Sequence, residues 1–182
     1  MNILLMGPRG CGKSTIGRRL AAALGMPFID LDERVLANFR QPTVSRVWSA
    51  HGEAAWRAAE AAALDEVLSR PNQVVALGGG TPMIESARTR LEQERREGRA
   101  VTVYLRCTVE ELERRLAAEA GDRPALCGDD PAAETAAILA LREPVYRALA
   151  DVHFDATAAP PERAVESLTR LLRRPAPGRP SE

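Results

Sequence analysis

Short apolar runs recur along the chain at intervals too long for hairpins. Ile3–Met6, Phe28–Asp30, Val74–Leu77, Val101–Leu105 and Val152–Asp155 each read as a strand. Nearly all lack the in–out alternation of a sheet with one wet face, so both faces should be covered. Longer stretches rich in Ala, Arg and Glu separate them. Helices are predicted near Lys13–Leu24, closing at Gly25, and Gly52–Ser69, closing before Pro71. Another opens at Thr108, where Glu111 is placed to complete a capping box. The alternation predicts an α/β fold with a parallel sheet and crossover helices.

Gly121-Asp122-Arg123-Pro124-Ala125-Leu126-Cys127-Gly128-Asp129-Asp130-Pro131 concentrates turn formers between two helical patterns. It is expected to be an exposed, mobile loop within a lid over about 110–130. The end of the chain is rich in proline and polar residues, and 175–182 is expected to be a disordered tail. At 182 residues and 45% hydrophobic content, one domain over 1–174 is expected. Acidic and basic residues balance at 25 each and aromatics are only 4%, which argues against a nucleic-acid surface. No apolar stretch reaches bilayer length, so neither membrane nor secretion is expected. Cys11, Cys107 and Cys127 are scattered without CxxC spacing, which fits reduced thiols and a cytoplasmic protein.

The strongest chemical signal is Gly7-Pro8-Arg9-Gly10-Cys11-Gly12-Lys13-Ser14-Thr15, a GxxxxGK[ST] match between an apolar strand and a helix. That context disfavours an ordinary glycine-rich turn. Gly10, Cys11, Gly12, Lys13, Ser14 and Thr15 are the expected nucleotide contacts: backbone N–H groups and the helix start cradle phosphate, and Lys13 reaches the β/γ-phosphates. The Ser14 hydroxyl would ligate Mg²⁺. Lys13 is the only lysine, arginine supplying the other 24 positive side chains. A planar guanidinium does not replace a compact ammonium inside a tight loop. The same fact excludes an NKxD guanine box, so ATP is the expected nucleotide. Asp30 and Asp32 end the second strand, where open α/β sheets hold ligands. Asp30 could hold Mg²⁺ through water, and Asp32 could accept the hydrogen bond of an attacking hydroxyl. Alternatively, Asp32 caps the next helix.

In order, the chain carries the P-loop, Asp30-Leu31-Asp32, Gly52-Glu53 with Trp56-Arg57 and Glu60, Gly78-Gly79-Gly80, Arg123-Pro124, and Arg142 with Pro144 and Tyr146. This order and spacing resembles the shikimate kinases over roughly Asn2 to Asp151. The resemblance implies a three-layer P-loop NTPase fold: a central five-stranded parallel sheet flanked by helices, a mobile lid, and a substrate-binding segment at about 31–60. It implies transfer of the ATP γ-phosphoryl to the 3-hydroxyl of shikimate, a step toward chorismate and the aromatic amino acids. Arg57 and Arg142 would clamp the substrate carboxylate, with Glu60 holding Arg57; taken alone, Arg57 reads as a solvated helix-face arginine. Gly79 and Gly80 would bring backbone to the substrate ring, Arg123 would swing over the phosphates, and Tyr146 would pack.

Three features depart from the family pattern: Trp56 replaces Phe, Ala125 interrupts RPLL, and 155–161 lacks an adenine-stacking arginine. Backbone near Thr157 and Pro160, or Arg106, could hold adenine instead. His51 and His153 are isolated and are assigned surface or packing roles. The expected partners are ATP, Mg²⁺ and a small acidic polyol, with no nucleic acid, no membrane and a monomeric chain. A kinase of gluconate or of a nucleoside monophosphate, and a non-catalytic nucleotide-binding regulator, are the rival readings.

Overall fold

The computed structural model describes residues 1–118 and 131–173. Among them, five parallel strands form a sheet: β1 (Asn2–Met6), β2 (Phe28–Asp30), β3 (Val74–Ala76), β4 (Ala100–Arg106) and β5 (Val152–Asp155). Their order is β2-β3-β1-β4-β5. The sheet is flanked by helices α1 (Lys13–Leu24), α2 (Leu31–Phe39), α3 (Val44–Leu68), α4 (Glu85–Arg96), α5 (Val109–Ala118), α6 (Pro131–Leu149) and α7 (Pro161–Arg173). Successive strand residues face opposite sides. Leu4, Met6, Val75 and Tyr104 pack with α2, α3, α4 and α6, while Ile3, Leu5, Val74, Val103 and Leu105 pack with α1, α5 and α7. Both faces are therefore dry, which is why the central strands read as unbroken apolar runs. Among the described residues, no helix is long and apolar enough to cross a membrane.

Gly25 closes α1 in the left-handed region, φ 67°, where the sequence placed the stop. The helix predicted from Gly52 starts earlier, at Val44, with the Thr43 hydroxyl accepting from Arg46 N at 3.4 Å. Gly52, at φ 80° and ψ 161°, breaks it into two segments at a kink that a β-carbon would oppose. Helix α2, foreseen only without bounds as a helix that Asp32 caps, begins directly where β2 ends. The Asp30 carboxylate caps it, accepting from the N–H groups of Asp32 (3.1 Å) and Glu33 (3.4 Å). Asp32 is therefore not the cap and not part of the strand: it stands in the first helical turn, one residue beyond Leu31.

At α5, Thr108 accepts from Glu111 N at 3.4 Å. The return half of the predicted capping box is not made, because the Glu111 carboxylate binds Arg114 and Arg115 instead. Part of the expected lid is thus the ordered helix α5, with Leu112 in the core. The rest of the lid, including Arg123 and Cys127, and the tail after Arg173 lie outside the described residues.

Candidate active site

The phosphate loop joins β1 to α1 at the carboxyl ends of the strands. Gly7, Gly10 and Gly12 take φ values of 146°, 79° and 95°, a run of left-handed backbone that only glycine adopts without strain. Lys13 lies across the loop, its Nζ donating to the Gly7 carbonyl at 2.9 Å and the Pro8 carbonyl at 2.8 Å. An ammonium suits this crossing because it bonds both carbonyls from a single point. The Cys11 side chain turns into the core, with Sγ 3.8 Å from Lys13 Nζ. The Ser14 hydroxyl donates to Asp30 Oδ2 at 2.6 Å. Asp30 thereby does two jobs, capping α2 with one oxygen and meeting the loop with the other. Among the described residues no group of three or more His, Cys, Asp or Glu side chains gathers as a metal cage. One hydroxyl beside one carboxylate, in an open site next to a phosphate cradle, still fits Mg²⁺, which keeps waters and takes substrate oxygens.

The second half of the site is built around the three glycines after β3. An added β-carbon on Gly78 would stand 2.4 Å from Glu60 Oε1, 2.6 Å from Asp32 Oδ1 and 2.8 Å from Thr81 Oγ1. One on Gly80 would stand 2.2 Å from Arg57 Nη1. On Gly79 it would meet Arg142 Nη1 at 3.6 Å. The glycines therefore clear space for polar side chains arriving from α2, α3 and α6, so that Arg57 and Arg142 come to neighbouring glycines and Asp32 and Glu60 share the space beside Gly78. In the sequence Gly78 stood only as the first of the three-glycine motif, with the approach to the substrate ring given to Gly79 and Gly80 alone.

Arg57 is held from several sides. Its Nη1 donates to Glu60 Oε2 at 2.6 Å, its Nε and Nη2 donate to Glu53 Oε1 at 3.1 and 2.9 Å, and its guanidinium lies 5.7 Å from the centre of the Trp48 ring. Burial works against its charge, but Glu60 and Glu53 outweigh this and raise its pKa. Burial pushes the Glu60 carboxyl above the ordinary range, opposed by Arg57 and by the hydrogen bond from Thr81. Trp56 is buried and stacks with Phe39 at 6.3 Å, so it belongs to the core beneath the site. Tyr146 does more than pack: its hydroxyl donates to the Gly79 carbonyl at 2.5 Å and so pins the glycine turn to α6.

A cleft of about 1210 Å³ runs over the loop, lined among others by Gly10, Gly12, Lys13, Ser14, Thr15, Asp30, Asp32 and Gly79. Arg57, Gly80 and Arg142 are not on its wall; they gather beside Gly79. At the other end the cleft is lined by Arg114, Arg115 and 156–161. Arg115 donates to the carbonyls of Ala156 (2.8 Å) and Thr157 (3.1 Å), tying α5 to the loop after β5. Arg106 is not there: it pairs with Asp155 at 2.5 Å, away from the cleft walls. Arg114 and Arg115 escaped notice in the sequence because nothing in an Arg/Glu-rich helix marks which face meets a cleft. His51 lies against Phe39 at 5.3 Å and His153 edge-on to Tyr104 at 6.0 Å, both outside the cleft lining.

A glycine-lined phosphate cradle on a β2-β3-β1-β4-β5 parallel sheet, opening onto arginines and a carboxylate beside a second glycine turn, defines a P-loop kinase of small molecules. A family model described as shikimate kinase matches residues 9–173. The chain is 39% identical to the shikimate kinase of Bordetella pertussis over 172 residues, 93% of this chain and 77% of that one. It is 42% identical to shikimate kinase 2 of Escherichia fergusonii over 160 residues, covering 87% and 84%. A solved shikimate kinase from Acinetobacter baumannii, in complex with shikimate, superposes with a TM-score of 0.85 at 31% identity, covering 94% of this chain and 92% of the other. The chain belongs to the shikimate kinase family.

Proposed function

We propose that the protein transfers the γ-phosphoryl of ATP to the 3-hydroxyl of shikimate, giving shikimate 3-phosphate and ADP on the route to chorismate. The observation that carries this reading is the meeting of Arg57 and Arg142 at Gly79 and Gly80, with Asp32 beside Gly78 and the cleft leading from there to Lys13. Two arginines select a carboxylate, and an adjacent acceptor selects a hydroxyl held near it. The clamp disfavours an uncharged acceptor, and membership of the shikimate kinase family favours shikimate over gluconate or a nucleotide.

Catalysis is positioning and charge neutralisation. Arg57 and Arg142 fix the acid end of the substrate, and Gly79 and Gly80 let its ring approach the backbone. Asp32 accepts the hydrogen bond of the attacking hydroxyl and orients it toward the γ-phosphorus. Lys13 exchanges its two loop carbonyls for phosphate oxygens and stabilises their charge in flight. The N–H groups of Gly10, Cys11, Gly12 and Thr15 are the cradle. Ser14 and Asp30 are the residues to hold Mg²⁺, which when bound neutralises phosphate charge. Arg114, Arg115 and the backbone of 156–161 form the adenine end. Arg123, from the lid, completes the charge cover over the phosphates. The kinase domain spans 1–174 and works as a monomer in the cytoplasm.

The test is ADP release with Mg·ATP and shikimate, gluconate, AMP or no acceptor, for wild type and Arg57→Ala. Turnover with shikimate alone, lost in Arg57→Ala while ATP still binds, is expected. ATP binding without consumption of any acceptor would instead favour the regulatory reading.

A further inference from the structure

Arg57 meets two carboxylates of unlike character. Glu60 is 1% exposed and also accepts from the Thr81 hydroxyl at 2.8 Å, so removing it from Arg57 would strand a buried charge. The Glu53 side chain is 57% exposed, and its Oε1 bridges Nε and Nη2 of Arg57. That is the side-on edge a substrate carboxylate would take. Arg57 already pairs with two carboxylates, Glu53 and Glu60, and Asp32 shares the space beside Gly78 with Glu60. A substrate carboxylate approaching Arg57 therefore meets Glu53 already on that edge, and loss of Glu53 removes a like charge before the substrate arrives.

We propose that Glu53 is a resident stand-in for the substrate carboxylate: it neutralises Arg57 in the free protein and swings into water when the acid binds. Arg57 holds its position through the exchange because Glu60 and the Trp48 ring remain. Glu53 is a positioning residue that competes with substrate, and its presence weakens binding of any carboxylate at Arg57. The displacement rests on the proposed function, since it takes the acid to be shikimate.

The experiment compares wild type with Glu53→Gln and Glu53→Ala by steady-state kinetics at saturating Mg·ATP, with melting curves as a check on folding. Removing an exposed competitor of this kind should lower the KM for shikimate about two- to five-fold. The KM for ATP should hold and kcat should move less than KM. Acetate, as a bare carboxylate, should inhibit both variants at lower concentration than wild type. A raised shikimate KM would make Glu53 a brace for Arg57 and overturn the displacement, as would a KM that does not change. Wild type that binds ATP yet leaves shikimate unphosphorylated would sink the substrate assignment and the displacement with it, whatever the variants do.

Discussion

A single methyl group at Gly80 should separate acid binding from every other function of the protein. Gly80 has φ −95° and ψ −14°, angles that alanine adopts without strain, so the effect of Gly80→Ala is steric. The new carbon would stand 2.2 Å from Nη1 and 2.7 Å from Cζ of Arg57. The guanidinium is the end of a flexible side chain and gives way, but it then leaves the 2.6 Å bond to Glu60, a side chain 1% exposed. Losing a hydrogen bond between charged groups costs about 1.5–3 kcal/mol. For a chain of this length that lowers Tm by roughly 3–12 °C. If the displaced Arg57 also misses the substrate carboxylate by a similar energy, the KM for shikimate rises roughly 10- to 150-fold. The KM for ATP should stay within about two-fold, because Gly80 is not among the residues lining the nucleotide cleft. Coupled ADP release with shikimate varied at saturating Mg·ATP gives both constants. A Gly80→Ala protein with a wild-type shikimate KM would mean that Arg57 does not bind the acid from this position.

Three further outcomes are expected. Lys13→Arg keeps the charge but cannot bond the Gly7 and Pro8 carbonyls from one point; kcat should fall by about two orders of magnitude or more, and near-normal turnover would remove Lys13 from the phosphate site. Tyr146→Phe deletes the bond to the Gly79 carbonyl from a hydroxyl that burial keeps protonated; it should cost about 0.5–1.5 kcal/mol by denaturant melting and raise the shikimate KM less than Arg57→Ala does. Asp151 accepts from Thr102 N and Thr102 Oγ1, each at 2.9 Å, and from Arg95 at 2.8 Å. Burial opposes its ionisation, but these donors outweigh it and hold the carboxyl below its ordinary value of 3.8. A lowered folded pKa contributes stability in full above that value and loses it as pH falls through the folded pKa. The Tm deficit of Asp151→Asn should accordingly be flat near neutrality and close below about pH 4; a deficit unchanged at pH 3 would assign it to packing.

The parallel sheet was legible because burial on both faces leaves a strand with no polar alternation, and Leu4, Leu5, Val74 and Val75 show this directly. The P-loop was equally plain, since its glycines, lysine and serine must be contiguous to cradle one phosphate. Less visible were α2 and the first segment of α3. Asp30-Leu31-Asp32 looks like a strand end, and only the N–H groups of Asp32 and Glu33 turning back to Asp30 reveal that the helix starts at once. Gly52 read as a helix start, whereas its φ of 80° makes it a kink between two helical segments.

Local order in the chain determined the strand–helix alternation and the phosphate loop, because each depends on neighbours within a few positions; Arg57 and Arg142 stood out only through the resemblance of the whole motif order to the shikimate kinases. The tertiary structure decided how distant side chains share space. It brought Arg57 and Arg142, 85 positions apart in the chain, to adjacent glycines. It turned Tyr146 into a hydrogen-bond donor to the Gly79 carbonyl. It put Arg114 and Arg115, not Arg106, on the cleft wall. Helical periodicity says which face of an element is apolar, but charged residues on the other face look alike until a neighbouring element arrives. The cleft is made by that arrival, where loops from several strands end together at one edge of the sheet, and no short stretch of sequence contains it.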